Sequence, residues 1–231
     1  PPQLAEQLRR RVHASEQRHS GEVRICVEGG LPTSYLWRHL RDGVAMVRLL
    51  AWLDAQDPAG LTEIDVVEKL EALRWDAGII DISFDTISGA GPNGAIVHYR
   101  VTEATNRTVG EGELLLLDSG AQFADGTTDI TRVVPIGTPS AAQKRDFTLV
   151  LKGMLALSRA RFPAGVAAPM LDALAREPIW AAGIDYGHGT GHGVGYFLNV
   201  HEGPQSISFY ATVTPHHVLR EGMITSNEPG I

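Results

Sequence analysis

Two aspartates frame a short segment that could bind metal ions. Asp118 ends the apolar run Leu114–Leu117, and Asp129 opens a second run after a glycine-rich turn. His192 follows later in Gly-His-Gly-Val-Gly, and Glu228 in Ser-Asn-Glu-Pro-Gly. Two aspartates, a histidine and a glutamate at predicted strand ends supply the oxygen and imidazole ligands that a cluster of divalent metal ions requires.

Each of these residues also has an ordinary structural interpretation when it is taken alone. Asp118 fits a turn aspartate whose carboxylate accepts from the amides of Ser119 and Gly120. Glu228 precedes a proline, which favours an extended backbone, and it fits a surface charge on an edge strand. Asp129 has no such local role. Two carboxylates that converge on one site repel each other unless a metal ion or a proton intervenes.

Four of the nine histidines stand apart by their context. His188 and His192 lie in residues 186–195, a stretch so rich in glycine that a ligand or another backbone can approach closely. The apolar residues that lead on to His201 argue against a flexible surface tract, and His98 follows an apolar run. The other histidines are interpreted as ordinary surface or core residues: His13, His19, His39, His216 and His217.

Three long helices are predicted from capping signals and helical spacing. One covers residues 38–53, and two begin at capping boxes, Thr62 with Asp65 and Ser140 with Gln143. The apolar faces recur every three or four residues. They are Leu40, Val44, Val47 and Ala51 in the first helix, Val66, Leu70 and Leu73 in the second, and Phe147, Leu151, Met154 and Ser158 in the third.

Strands are predicted to follow the helices in each half of the chain. Short apolar runs at residues 95–97 and 113–117 lead into His98 and Asp118. The second half has the same order after a shorter helix at residues 169–176. Its strand-like segments carry three more candidate residues: His192, His201 and Glu228. Helices before strands in both halves predict an α+β domain, and the element order suggests pseudo-symmetry.

Composition and charge exclude several classes of function. The chain has 231 residues, 43% hydrophobic and 20% charged, as expected of a globular protein with a sizeable core. Its net charge of −7 argues against a nucleic-acid partner, and no apolar stretch approaches membrane-spanning length. The single cysteine, Cys26, cannot form an internal disulfide, which favours a reducing, cytoplasmic compartment.

Four longer motifs together resemble the pita-bread metallopeptidase family, which includes methionine aminopeptidase, prolidase and Xaa-Pro aminopeptidase. The similarity begins near Arg38 and is greatest to the long, cytosolic-type aminopeptidase P group. The third motif, Gly-His-Gly-Thr-Gly-His-Gly-Val-Gly-Tyr-Phe-Leu-Asn-Val-His-Glu-Gly-Pro, is the most specific. The motifs occupy residues 88–99, 118–132, 187–204 and 222–230.

The resemblance implies the pita-bread fold, in which pseudo-symmetric helices pack on a curved antiparallel sheet. It also implies a site for two divalent metal ions. Asp118 would bind one ion, Asp129 would bridge both, and His192 and Glu228 would complete the shell of the other. The carboxylate ligands favour Mn²⁺, with Zn²⁺ or Co²⁺ as alternatives.

The implied activity is hydrolysis of the N-terminal Xaa-Pro peptide bond, with peptides that carry proline in second position as substrates. Glu228 would also act as a general base. By the same resemblance, three histidines would bind the substrate, orient the scissile bond and shuttle protons: His98, His188 and His201. Neither a nucleic-acid nor a membrane partner is expected, and a homodimer is one of the assemblies left open.

The chain departs from the family pattern at both ends. The family's fifth ligand, a bridging glutamate, should lie downstream of Glu228, but the sequence ends at Ile231. Residues 1–37 show no resemblance and stay unassigned. Residues 38–231 are therefore expected to form a C-terminally truncated catalytic domain with weak or no turnover, since a missing strand also exposes a sheet edge.

Three other functions are compatible with parts of this pattern. A prolidase-type dipeptidase would use the same ligands, and comparing a dipeptide with a tripeptide substrate separates the two. A non-catalytic pita-bread module would bind peptides or proteins, although such modules typically lose ligands. A creatinase-like, metal-free hydrolase is disfavoured by the presence of both Asp118 and Asp129.

Overall fold

The computed structural model describes residues 33–57 and 60–231, with side chains described from residue 39 onward. His13, His19, Cys26 and most of the unassigned segment lie outside these residues. The helices of the described chain are α1 (Thr33–Leu53), α2 (Glu63–Asp76), α3 (Ala141–Ser158) and α4 (Asp172–Trp180). The strands are β1 (Asp81–Ile82), β2 (Ile87–Ala90), β3 (Leu114–Ser119), β4 (Ala121–Phe123), β5 (Gly126–Thr127), β6 (Ile130–Pro135), β7 (Gly191–His192) and β8 (Ser206–Ile207).

Helices α2 and α3 begin at the predicted capping boxes. The Thr62 amide donates to the Asp65 carboxylate at 2.8 Å, and the Thr62 hydroxyl accepts from the Asp65 amide. Ser140 and Gln143 make the same reciprocal pair at the start of α3. Both predictions are confirmed. Among the described residues, no helix combines the length and the apolar character needed to cross a membrane.

The buried face of α1 differs from the predicted one. Val44 and Val47 are 49% and 47% exposed, so the predicted stripe faces outward. Helix α1 carries two apolar stripes, and periodicity alone identifies the helix without deciding which stripe faces the core. The inward stripe includes Asp42, whose buried carboxylate pairs with Arg74 of α2. Its buried apolar members are Ala45, Met46, Leu49 and Leu50.

The antiparallel sheet of β2, β3 and β6 positions the first candidate ligands. Strand β3 lies in the middle, with Asp118 opposite Ile87 of β2 and Thr131 of β6. Side chains alternate along β3, so Leu115 and Leu117 pack in the core beneath α1 and α2. Asp118 therefore faces the other side of the sheet.

Two smaller antiparallel sheets complete the described fold: β1–β4–β5 and β7–β8. The β7–β8 pair packs on the helices of the second half through buried Leu157 of α3, Ala175 of α4 and Ile207 of β8. The α-helices precede the named strands in each half, which confirms the predicted α+β order.

Parts of the predicted strand material are loops. Ala95 ends a 3₁₀ helix, Gly91–Ala95, and residues 96–97 follow it outside any strand. All three residues are exposed. The chain folds back here because two glycines meet backbone to backbone; a Cβ on Gly89 would lie 2.8 Å from the backbone of Gly94. His201 likewise lies in a loop. An apolar run beside a glycine-rich turn was insufficient to predict a strand.

Two helical glycines provide a matched test of this packing. A Cβ on Gly153 of α3 would lie 2.1 Å from the Ala175 carbonyl oxygen of α4, whereas one on Gly43 of α1 would meet no described atom within 4 Å. We expect Gly153→Ala to lower the free energy of unfolding by about 1–3 kcal/mol through overpacking. Gly43→Ala should raise it by about 0.5–1 kcal/mol, because alanine favours the helix.

Chemical denaturation of both variants measures these changes. Equal stability of Gly153→Ala and the parent protein would contradict the close approach of α3 and α4.

Candidate metal centre

The segment between β3 and β6 places Asp118 and Asp129 on or beside these two neighbouring strands. Strand β3 leads through Gly120 into β4 and β5, and Asp129 immediately precedes β6. Glycine is required at position 120, because a Cβ there would lie 2.0 Å from the Thr128 carbonyl oxygen. The glycine-rich turn recognised in the sequence thus allows the two carboxylates to approach one site.

His192 and Glu228 reach the same site from the second half of the chain. His192 ends β7, and Glu228 lies outside the named strands, but its amide donates to the Thr190 carbonyl at 2.7 Å. His192 Nε2 is 3.2 Å from Asp129 Oδ2 and 3.0 Å from Glu228 Oε1. One ligand atom from each of these three residues lies within 4.8 Å of the others, which suits a single metal ion.

Two further residues, which sequence reasoning missed, orient these ligands. The Nδ1 atom of His192 lies 2.9 Å from the Gly193 carbonyl oxygen and donates to it, which leaves Nε2 facing the carboxylates. The Ser226 hydroxyl donates to Glu228 Oε1 at 2.6 Å. The only sequence signal for Ser226 is its position two residues before Glu228, on the same side of an extended segment.

Asp118 lies beside this group with an unsatisfied oxygen. Its Oδ1 atom is buried and has no hydrogen-bond partner among the described residues. Burial of the carboxyl, followed by the nearby charges of Asp129 and Glu228, raises the pKa of Asp118 to about 7. A buried carboxylate oxygen without a donor fits a cation, so the residues present suit a divalent metal ion.

The charge balance of the site also favours a cation. Burial opposes the charge on His192, but hydrogen bonds to Asp129 and Glu228 outweigh that effect and raise its pKa to about 10. Burial alone would raise the pKa of Glu228, yet the His192 hydrogen bond and charge lower it. An imidazole this close to two carboxylates forms a group whose negative charge a divalent cation would balance.

The remaining candidate histidines surround this group. The His201 ring lies 4.2 Å from that of His192 and 6.3 Å from that of His98. Burial and the charge of His192 lower the pKa of His201. His98 has a left-handed backbone, with φ of 56°, at the turn after the 3₁₀ helix.

His188 completes the set at the other side of the site. A Cβ on Gly230 would lie 2.7 Å from His188 Nε2, so the ring packs against the backbone that follows Glu228. The structure brings all seven sequence-predicted residues to one cavity of about 1190 Å³. They are His98, Asp118, Asp129, His188, His192, His201 and Glu228.

The sequence of this chain matches metallopeptidase family M24 over residues 39–231. The chain belongs to this family. Solved relatives have the same arrangement of helices and antiparallel sheets, so the predicted pita-bread fold and the family resemblance are confirmed. One of them is an X-prolyl aminopeptidase from Caenorhabditis elegans, described as a cytosolic enzyme with a di-nuclear active site. It superposes with a TM-score of 0.78 at 42% identity, covering 83% of this chain and 31% of that one.

Other relatives carry related names. The chain is 54% identical over 196 residues to aminopeptidase P2 of Arabidopsis thaliana, covering 83% of this chain and 27% of the relative. It is 49% identical over 197 residues to a probable Xaa-Pro aminopeptidase P of Laccaria bicolor, covering 83% and 30%. An Xaa-Pro dipeptidase from Bacillus anthracis gives a TM-score of 0.71 at 31% identity, covering 82% and 50%. The chain thus spans less than a third of the length of these two curated relatives.

Metal binding should release a proton from His192. Because its pKa is about 10 and a ligating imidazole must be neutral, we expect Mn²⁺ to displace about one proton at pH 8. Isothermal titration calorimetry in buffers of different ionisation enthalpy measures this number. The exposed His216→Gln variant should release the same number. A binding enthalpy that does not depend on the buffer would contradict the prediction that His192 loses a proton when Mn²⁺ binds.

Asp118 should destabilise the metal-free protein at neutral pH. As pH rises from about 4 to 7, the unfolded chain loses this proton before the folded one, so stability falls across that window and then levels. Asp118→Asn removes the penalty and should raise the free energy of unfolding at pH 8 by about 4 kcal/mol at most.

The gain should shrink as the pH is lowered towards 4, in chemical denaturation with a chelator present. The exposed control Asp76→Asn should show no comparable pH-dependent gain. Equal or lower stability of Asp118→Asn at pH 8 would contradict the claim that the buried Asp118 carboxyl destabilises the protein.

Proposed function

We propose that this chain forms the catalytic centre of a metal-dependent Xaa-Pro aminopeptidase. The observation that carries the proposal is the convergence of the Asp129, His192 and Glu228 ligand atoms within 4.8 Å of one another. The unsatisfied Asp118 oxygen beside them supports a second metal ion. The relatives named Xaa-Pro aminopeptidase P support the substrate class, a peptide with proline in second position.

Asp118 and Asp129 would hold one ion, and Asp129, His192 and Glu228 the other. The oxygen-rich ligand set favours Mn²⁺, with Zn²⁺ and Co²⁺ as alternatives. When bound, two divalent ions supply Lewis-acid stabilisation of the charge that develops on the peptide carbonyl oxygen and lower the pKa of water. Support for two ions comes from the C. elegans relative described as di-nuclear.

The chain's own side chains would move protons and orient the peptide. Glu228 accepts a hydrogen bond from the Ser226 hydroxyl and lies 3.0 Å from His192 Nε2, and its carboxylate would act as the general base. The lowered pKa of His201 keeps its imidazole neutral, able to donate one hydrogen bond and accept another. His98 and His188 line the same cavity and would contact the substrate.

The cavity also offers an apolar wall from the predicted face of α3. Phe147, Leu151 and Met154 line it together with Val150. Their side chains suit the hydrocarbon ring of a proline better than a charged residue. We infer that the chain acts in the cytosol, since it has a single cysteine and one solved relative is described as a cytosolic enzyme.

A prolidase-type dipeptidase is the second candidate, and the likeness to the B. anthracis Xaa-Pro dipeptidase favours it. The higher identity to the Arabidopsis and Laccaria relatives favours the aminopeptidase. A non-catalytic peptide-binding module would not need the set of ligands found here.

Release of the first residue from an Xaa-Pro-Pro tripeptide, compared with an Xaa-Pro dipeptide, tests the proposal. With Mn²⁺ present, the tripeptide should be cleaved and the dipeptide should not. His201→Gln should lower kcat by about 10²–10⁴-fold, the usual contribution of a proton-transferring group. The control His216→Gln, outside the cavity, should retain activity.

Preferential dipeptide cleavage would assign a prolidase instead. A folded protein that binds no Mn²⁺ and cleaves neither substrate would favour the binding module. Weaker turnover than a full-length relative stays a prediction of the sequence, and the same assay measures it.

A further inference from the structure

Among the ion pairs of the described residues, two Asp–Arg pairs have both side chains fully buried. Asp42 of α1 binds Arg74 of α2, with Oδ1 2.6 Å from Nε. Asp172 binds Arg176 within α4, with Oδ1 3.0 Å from Nε. Both pairs lie outside the set of predicted ligands, and neither has a role in the chemistry proposed above.

The first pair reaches the loop that carries Asp129. The Thr128 hydroxyl donates to Asp42 Oδ2 at 2.5 Å, and the same hydroxyl accepts from the Ala121 amide at 2.8 Å. Thr128 is fully buried and immediately precedes Asp129. A carboxylate on helix α1 therefore fixes the residue next to a predicted metal ligand.

The second pair reaches the strand that carries His192. The fully buried Thr190 hydroxyl donates to Asp172 Oδ1, and Thr190 lies two residues before His192. The Thr190 carbonyl accepts from the Glu228 amide at 2.7 Å. In addition, Arg176 Nη2 donates to the His188 carbonyl oxygen at 2.6 Å. This pair thus contacts the segments of His188 and His192 directly and the segment of Glu228 through Thr190.

We propose that Asp42 and Asp172 are positioning residues, which set the metal ligands Asp129 and His192 through the hydroxyls of Thr128 and Thr190. The inference deepens the proposed function, since it assigns a role to residues outside the cavity. Each half of the fold has one such anchor: a buried carboxylate on a helix, paired with an arginine, that accepts from a threonine just before a ligand.

Stability alone is a poor explanation of these pairs. Desolvation of two charges offsets most of their attraction, and apolar residues of similar volume often stabilise a protein equally well. Apolar residues, however, cannot accept a hydrogen bond in a fixed direction. The carboxylate holds each threonine in one orientation, and the alternate side chains of an extended segment then have defined directions.

Threonine variants separate positioning from simple stabilisation, because they leave both ion pairs intact. Thr128→Val and Thr190→Val remove only the hydroxyl, whereas Thr128→Ser and Thr190→Ser retain it. Thr62→Val is the matched control: it breaks the capping box of α2, far along the chain from the ligands, and should destabilise the protein.

Isothermal titration with Mn²⁺ on the full chain gives the first readout. Both valine variants should bind Mn²⁺ about tenfold or more weakly than the parent, the usual effect of losing a group that orients a ligand. Both serine variants should restore binding to near the parental Kd. Thr62→Val should lower the thermal midpoint and leave the Kd unchanged.

Hydrogen exchange of the metal-free protein gives a second readout that does not depend on metal. The Glu228 amide, bonded to the Thr190 carbonyl, should exchange faster in Thr190→Val than the change in global stability predicts. In Thr190→Ser and Thr62→Val its exchange should follow global stability.

Valine variants with parental Mn²⁺ affinity, or with losses equal to that of Thr62→Val, would overturn the positioning role. If the parent chain itself bound no Mn²⁺, the proposed metal centre would fail, and the Glu228 exchange rate would then decide the positioning role alone.

Discussion

Three carboxylates from separate segments lie close together around one imidazole, and this constraint organises the molecule. Asp118, Asp129 and Glu228 would repel one another without a cation. His192 Nε2 lies 3.2 Å from Asp129 and 3.0 Å from Glu228, and Asp118 has a buried oxygen without a hydrogen-bond partner among the described residues. Such a site is unfavourable for folding by itself. It persists because the surrounding framework fixes each segment independently.

In that framework, hydrogen bonds of buried polar groups fix the orientation of segments that apolar packing alone would not fix. Besides the two Asp–Arg anchors, Glu63 is fully buried on α2 and accepts from the Ala90 amide at 2.6 Å and from the Tyr99 hydroxyl at 3.0 Å. Tyr99 follows His98, so this carboxylate fixes the turn that presents that histidine. The apolar core beneath the first sheet supplies the rigid support, and the buried polar contacts select one arrangement of the site segments.

Local signals in the sequence predicted much of this fold, and long-range pairings limited the rest. Capping boxes fixed the starts of α2 and α3 because their hydrogen bonds span three residues. The prediction of the buried face of α1 was wrong, because this helix has two apolar stripes. The inward stripe carries Asp42, whose partner Arg74 lies far along the chain. The seven candidate residues converge on one cavity, but Thr128 and Thr190 carried no sequence signal, because their partners lie on distant helices.

X-ray diffraction from crystals of the chain grown with Mn²⁺, recorded at the manganese absorption edge, tests the central claim most directly. The account predicts an anomalous peak coordinated by Asp129, His192 Nε2 and Glu228, and a second one beside the Oδ1 atom of Asp118. The absence of both peaks, with His192 still bonded directly to the two carboxylates, would contradict a metal centre built from these residues.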